Sequence, residues 1–345
     1  MRGDAAELAA QLARLAPALA AELLPQGRRD GAEWRCGSLA GEAGQSLAVH
    51  MFGDRAGVWG DFATGERGDA LDLVAAVRCH GDIGEAMAWA RAWLGHPDQA
   101  PPARASTGAP DPAARAPEPD QAERRRKALA LFLAGREGLA GTPAAEYLAA
   151  RGIDLAELGR APRALRFHPS AWCAELGHGL PAMLAAITDG QGEHVATHRT
   201  WLARDDAGSW GKAALRDAKK TLGSYASGFI PLQRGASGKP LRQAPIGETV
   251  AIAEGIETAL SVALACPELR VLAAVSLGNM ARIVIPPAVR VVMLCADNDG
   301  PENTGAARAL ASAVERFAAE GRQVRVARPP IGKDFNDTLR AEMLL

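Results

Sequence analysis

Two stretches decide the fold: TVAIAEGIETALSVALA (249–265) and RVVMLCADNDG (290–300). Each opens on a short, almost purely apolar run and then meets an acidic residue. Between and after them come VLAAVS (271–276), a long helical pattern over 303–320, QVRVARP (323–329) and a final helix over 336–343. Short apolar runs separated by helical spacing read as strands buried on both faces. The C-terminal part, 248–345, is therefore expected to be α/β, a parallel sheet with flanking helices.

In an open α/β sheet, ligands sit beyond the carboxyl ends of the strands. Glu254 follows the first strand directly, Asp297 and Asp299 follow the strand RVVMLCA, and Asp334 in GKDFND lies just past the last strand. Residues i and i+2 of an extended chain face the same way, so Asp297 and Asp299 can reach one cation. Mg²⁺ takes hard oxygen ligands, commonly one or two carboxylates with phosphate and water completing the shell. DNDG is also a common turn sequence, and Asp or Asn often caps a helix. Acidic signals at three strand ends favour the ligand reading for Asp297, Asp299, Asp334 and Glu254, with Glu254 alternatively free to act as a base.

Outward from this region, residues 122–247 read as a mixed α+β subdomain. A basic helix (ERRRKALALFLAGREG) opens it, followed by a helix in TPAAEYLAARGI with Thr142 as N-cap, Pro143 at its start and Gly152 at its end. Strands are expected at 182–188 and 194–202 around the turn DGQG, and a second hairpin around 220–222 and 229–232. Between Arg199 and Arg242 nine Lys or Arg face three Asp. A basic surface beside an acidic metal pocket suits phosphodiester chemistry, although a charge run alone is usually a solvated face.

Residues 97–121 hold seven prolines among Ala, Asp and Ser and read as an extended tether. Residues 1–96 read as a small α+β domain: a helix over 4–24, strands at 33–36, 46–52 and 58–62, then helices over 69–79 and 83–94.

The 345 residues carry a net charge of −1, so the chain as a whole has no electrostatic footprint for nucleic acid. Five scattered cysteines without a C-x-x-C pair argue against a disulfide framework or a four-ligand zinc site. No apolar run is long enough to span a bilayer and the start lacks a signal-peptide pattern, so a cytoplasmic protein with no membrane partner is expected.

With these motifs in place, residues 249–340 resemble the Toprim domain shared by bacterial primases, topoisomerases and some nucleases. AEGIETALS supplies the Glu that the family uses as acid/base, here Glu254, and ADNDG supplies its Mg²⁺-binding D-x-D, here Asp297 and Asp299. GKDFNDTL resembles the primase G-K-D-P-D segment, with Asp334 at the first acidic position and Asn336 at the second. The wording is nearest to primases of phage and plasmid type. TPAAEYLAARGI, PAMLAAITDGQGEHVATHRTWL and AKKTLG resemble the basic subdomain of primase cores, which implies Arg199 and Lys220 as phosphate contacts, with Lys219, Arg216 and His198 behind them.

The N-terminal domain resembles the primase zinc-binding domain stripped of its ligands. Cys36 stands at the first ligand position, but Leu39, Asp61 and Thr64 occupy the others, and tetrahedral zinc needs four N or S donors. A scaffold without zinc is expected, held by Trp34, Leu47, Val49, Trp59 and Phe62.

The resemblance implies a DNA primase, a template-directed nucleotidyltransferase making short primers on single-stranded DNA. It would use nucleoside triphosphates and Mg²⁺ or Mn²⁺, with any replicative helicase a separate partner. Trp201 and Trp210 offer either stacking faces for template or core packing. The alternatives are a metal-dependent Toprim nuclease and a Toprim module that binds nucleic acid without turnover. Neither of the two tyrosines, Tyr147 and Tyr225, sits in a nucleophile context, which disfavours a topoisomerase.

Overall fold

The structure, a computed structural model, describes residues 2–61, 66–79, 81–95, 119–300 and 304–343. The chain divides into two units, Met1–Ala122 and Glu123–Leu345.

In the first unit, α1 (Arg2–Arg14) and α2 (Ala16–Leu23) replace the single helix expected over 4–24. The break falls at Leu15 because Pro17 has no N–H for the helical ladder, whereas it is tolerated in the first turn of a new helix. Strands β1 (Arg28–Asp30), β2 (Glu33–Cys36), β3 (Leu47–His50), β4 (Trp59–Asp61) and β5 (Arg67–Gly68) form an antiparallel sheet in that order. Helix α3 (Ala70–Arg78) starts at a reciprocal capping box between Asp69 and Asp72. Helix α4 (Ile83–Trp93) starts where the Asp82 carboxylate accepts the Glu85 N–H.

Leu12, Leu19, Leu23, Leu47, Val49, Trp59 and Leu73 form the core of this unit, with Trp34 and Leu39 packed against it. Cys36 is fully buried, and its thiol donates to the Ser38 carbonyl at 3.2 Å. Burial, with Glu42 and Asp61 nearby, pushes that thiol's pKa up. Phe62 and Thr64 lie outside the described residues, as do residues 97–118 of the expected tether. The tether ends earlier than expected, because α5 (Pro119–Ala134) begins at Pro119.

The second unit continues through β6 (Arg136–Glu137), α6 (Pro143–Ala149), β7 (Leu165–Cys173), β8 (His178–Thr188), β9 (His194–Arg204), β10 (Trp210–Lys212), β11 (Lys219–Gly223) and β12 (Ile230–Arg234). Thr142 caps α6 as its spacing suggests, its hydroxyl accepting from the Ala145 N–H. The antiparallel sheet runs β10-β9-β8-β7-β6, with β11 also on β9.

The hairpin expected around 220–222 and 229–232 does not form. β11 pairs with β9, whereas β12 crosses to the C-terminal sheet and pairs antiparallel with β14 (Arg270–Ala273). That sheet also contains β13 (Thr249–Ala253), β15 (Val291–Cys295) and β16 (Gln323–Ala327), in the order β12-β14-β13-β15-β16. The four strands after β12 are parallel, as their apolar runs imply. Helices α7 (Ile256–Ala265), α8 (Leu277–Met280), α9 (Thr304–Ala319) and α10 (Phe335–Glu342) connect or follow them. Val250, Ile252, Leu272, Val292, Leu294 and Phe317 fill the core.

Candidate active site at the carboxyl edge of the parallel sheet

Strands β13 and β15 are direct neighbours, and their register pairs Ala253 with Cys295. Glu254 and Asp297 therefore leave adjacent strands one and two residues beyond the last pair, with no strand between them. The Glu254 carbonyl accepts from the Val275 N–H at 2.9 Å. Val275 holds φ at 73°, a left-handed conformation that costs a β-branched residue on the order of 1–3 kcal/mol. Nearby, Asn279 is buried and donates to both the Ala274 and Gly228 carbonyls while accepting from the Ser227 N–H. Ser227 is the other described non-glycine residue at positive φ. One amide thus holds two strained turns together beside Glu254.

Asp297 is the most perturbed acid of the group. Its Oδ1 is buried and has no hydrogen-bond partner among the described residues. Burial, then Asp334 and Asp299, and more weakly Asp337, raise its pKa to about 6 against the opposing pull of Lys333. The loop is held by Asn298, whose side chain donates to the Pro329 and Gly332 carbonyls and whose N–H donates to the Lys333 carbonyl. This brings the CADNDG and GKDFND segments side by side. Lys333 Nζ lies 3.5 Å from Asp299 Oδ1.

Asp334 caps α10 through Oδ1, which accepts from the Asn336 and Asp337 N–H groups. Its second oxygen takes no part in the cap. Asn336, expected at the second acidic position, instead turns inward. It is 1% exposed, and its amide donates to the Arg151 carbonyl and the Ser261 hydroxyl. The acid that faces Asp297 from the first turn of α10 is Asp337, one residue further on. Its Oδ2 accepts from the Lys333 N–H at 2.8 Å. Gly332 makes room for it: φ is +78°, and a Cβ there would fall 2.3 Å from the Asp337 Cβ.

A buried, partnerless carboxylate oxygen among further acids suits a hard divalent cation, which removes the mutual repulsion. Among the described residues, no three acidic, His or Cys side chains converge closely enough to enclose an ion. The edge is thus suited to an open site completed by phosphate and water.

Strand alternation divides the basic residues expected to hold nucleic acid. In the β9–β11 register Lys220 pairs with Arg199, Lys219 with Thr200 and Thr221 with His198. Directly paired residues share a face, so Arg199 and Lys220 lie on one side of the sheet and Lys219 and His198 on the other. Arg199 stacks over the Trp201 ring at 4.9 Å, and Lys220 and Arg216 are exposed. Trp201 is 2% exposed and its indole donates to the Ala171 carbonyl, so it is core and offers no stacking face. Trp210 is half-buried beneath the Arg204 guanidinium.

The opposite face meets α7. Lys219 Nζ lies 3.3 Å from Glu257 Oε2, Lys212 Nζ lies 3.2 Å from Oε1, and the Tyr147 hydroxyl donates to Oε1 at 2.5 Å. Burial works against the Glu257 charge, but Lys219, Lys212 and Tyr147 outweigh it and lower its pKa. Burial also opposes the Lys219 charge, yet Glu257, and further out Glu254, raise its pKa above the ordinary value. Lys212 goes the other way, to about 8, because burial, Lys219 and Arg151 exceed the pull of Glu257. His198 is buried, and its pKa falls to about 3, chiefly through burial and then Lys219. It is a neutral imidazole at physiological pH and is not a cationic phosphate contact.

Glu257, Lys212, Tyr147 and Asp337 were missed by sequence reasoning. Glu257 sits three residues past Glu254 on an apolar helix, and an acid on such a helix was the available signal.

Residues 249–343 match the family model of the Toprim domain. The C-terminal region is a Toprim domain. Residues 122–232 match a family described only as a domain of unknown function, DUF7146. No curated protein matches the chain. Among solved structures, the Aquifex aeolicus primase (zinc-binding and RNA polymerase domains) is similar at 16% identity. That match covers 99% of this chain and 83% of the other, at a TM-score of 0.43. The Escherichia coli primase catalytic core is similar at 16% identity over 63% and 76% of the two chains, at 0.42. The primase fragment of the bacteriophage T7 primase-helicase is similar at 19% identity over 58% and 72%, at 0.36. The edge strand β12 of the C-terminal sheet begins within the last residues matched by the DUF7146 model, 230–232.

Proposed function

We propose that the chain is a DNA primase, a template-directed nucleotidyltransferase that makes short primers on single-stranded DNA in the cytoplasm. The observation that carries this reading is the partnerless buried oxygen of Asp297, at a strand end adjacent to that of Glu254, with Lys219 brought towards Glu254 from the preceding subdomain. Asp297, with Asp299 or Asp334 as a second carboxylate and phosphate and water completing the shell, would hold Mg²⁺ or Mn²⁺, which when bound stabilises charge on the reacting phosphoryl group. Asp337 adds negative potential at the same place.

Glu254 accepts the proton of the primer 3′-hydroxyl or shares in holding the cation. Lys219, its charge protected by Glu257, neutralises the phosphates of the incoming nucleoside triphosphate. Arg199 and Lys220, on the other face of the antiparallel sheet, serve template phosphates together with the exposed Arg216 of the β10–β11 loop, so template binding should weaken with salt. The N-terminal unit performs any template contact without zinc.

The test incubates the protein with single-stranded DNA, labelled ribo- and deoxyribonucleotides and Mg²⁺ or Mn²⁺, beside Asp297→Ala. Short labelled products that vanish in the variant support the proposal. Shortened DNA without incorporation indicates a Toprim nuclease. DNA binding with neither reaction, unchanged by the substitution, indicates a binding module.

A further inference from the structure

A second concave site lies against the β12 edge of the Toprim sheet. Its walls follow β12 and β14 from Arg234 and Arg270, which pair with each other, to Leu272 and Phe229. The acidic residues follow β13 and β15, on the far side of β14 from β12, and none of them lines this cavity. A cavity of about 330 Å³ opens there, within the range of small-molecule pockets. Its walls come from the segment before β7, the β8–β9 turn, β12 and the chain around Leu241.

The charge lining this cavity is one-sided. Arg160, Arg163, Arg234, Arg242 and Arg270 line it, with Asp189 as the only acid among the lining residues. Arg270 is already satisfied, paired with Glu248 at 2.7 Å and donating to the Lys239 carbonyl. Asp189 spends one oxygen on its own turn, accepting from the Gln191 and Glu193 N–H groups. Among the described residues the other four arginines form no ion pair. Arg242 donates to the Gln191 carbonyl and Arg234 reaches the Gly238 carbonyl at 3.4 Å. Burial, then Arg160, Arg163 and Arg270, lower the Arg234 pKa, which shows how close the like charges stand.

Four unpaired guanidinium groups around a cavity that a single carboxylate, Asp189, cannot neutralise fit an anionic ligand. Their planar forks suit phosphate oxygens. Much of the remaining wall is apolar, with Pro162, Pro231, Leu232 and Leu241 beside the polar Thr188 and Gln233. Such a wall suits a ring system and gives nothing to inorganic phosphate or to the backbone of a polynucleotide.

We infer that this cavity binds a nucleoside polyphosphate, its phosphates on Arg160, Arg163 and Arg234 and its ring against the apolar wall, as a site separate from the acidic edge. The site does not depend on the primase reading, because none of its residues belongs to the acidic cluster.

The experiment measures equilibrium binding of ADP and GDP to the full chain in EDTA, where the acidic edge holds no cation. Saturable binding is expected, weakened at least about tenfold by Arg163→Glu and by Arg160→Glu. Both side chains are exposed, so the variants should keep the wild-type melting temperature. Asp297→Asn should bind as wild type does. Three results would overturn the inference. The first is binding that is absent or indifferent to both reversals; the second is tripolyphosphate binding as tightly as ADP, which removes the role of the ring. The third is a short single-stranded oligonucleotide that depends on the same arginines and displaces ADP, which assigns the cavity to polynucleotide.

Discussion

Lys219 on β11 and Glu257 on α7 meet at 3.3 Å across the seam between the antiparallel sheet and the Toprim domain. Glu257 is nearly buried, while the Lys219 and Lys212 side chains keep about a third of their surface in water. Glu257→Gln should leave two lysines facing each other over a neutral amide. Discounted for the partial exposure of the lysines, the cost should be about 2 kcal/mol, read by urea denaturation. Adding Lys212→Met should recover part of the loss, because it removes the repulsion that the first change uncovers.

Asp297→Asn should separate stability from function. The amide removes a charge that three neighbouring acids disfavour. The variant should therefore melt at or above the wild-type temperature in EDTA while losing any metal-dependent activity. Mn²⁺ should raise the wild-type melting temperature by preferential binding to the folded chain and leave the variant unmoved. An unstable variant would contradict the geometry.

Asn336→Asp places an acid where the primase-like pattern has its second one. The side chain lies inside, bonded to the Arg151 carbonyl and Ser261. The substitution should bring a carboxylate against a carbonyl, offset only in part by the Arg151 guanidinium 3.4 Å from the Asn336 oxygen, and cost about 1–2 kcal/mol without improving activity. Asp337→Asn, by contrast, should lower the Asp297 pKa and alter metal affinity, read by Mn²⁺ titration.

The His198 pKa of about 3 lies below its ordinary 6.5. Below pH 6.5 the unfolded chain takes up a proton that the folded chain refuses, so stability present above that pH is lost as pH falls towards 3. His198→Leu should flatten this part of the pH–stability curve, checked by melting temperatures from pH 7 to pH 4.

The parallel sheet was legible in the sequence because each of its strands is a short apolar run between helices. The gathering of the acids at one edge followed from those runs, but the adjacency of Glu254 and Asp297 did not: β14 lies between their strands in the chain, and only the strand order sets β13 beside β15. The strands β1 and β5 were not legible, since Arg-Arg-Asp and Arg-Gly carry no hydrophobic alternation. Strand β12 was misread because IPLQR looks the same whether it closes a local hairpin or crosses to another sheet. Among the basic residues, Lys219 and Lys220 are neighbours in sequence but face opposite sides of a strand. Only the register with β9 tells which one meets the Toprim domain. Asn336 and Asp337 posed the same difficulty on a helix, where counting positions does not say which one turns inward.

The account rests on a divalent cation at the end of β15, and crystals grown with Mn²⁺ test this most directly. An anomalous difference peak against the Asp297 carboxylate, near Asp299 and Asp334 and lost in Asp297→Ala, is the expected result. A clean map at that edge at saturating Mn²⁺, or a peak only elsewhere on the molecule, would contradict it.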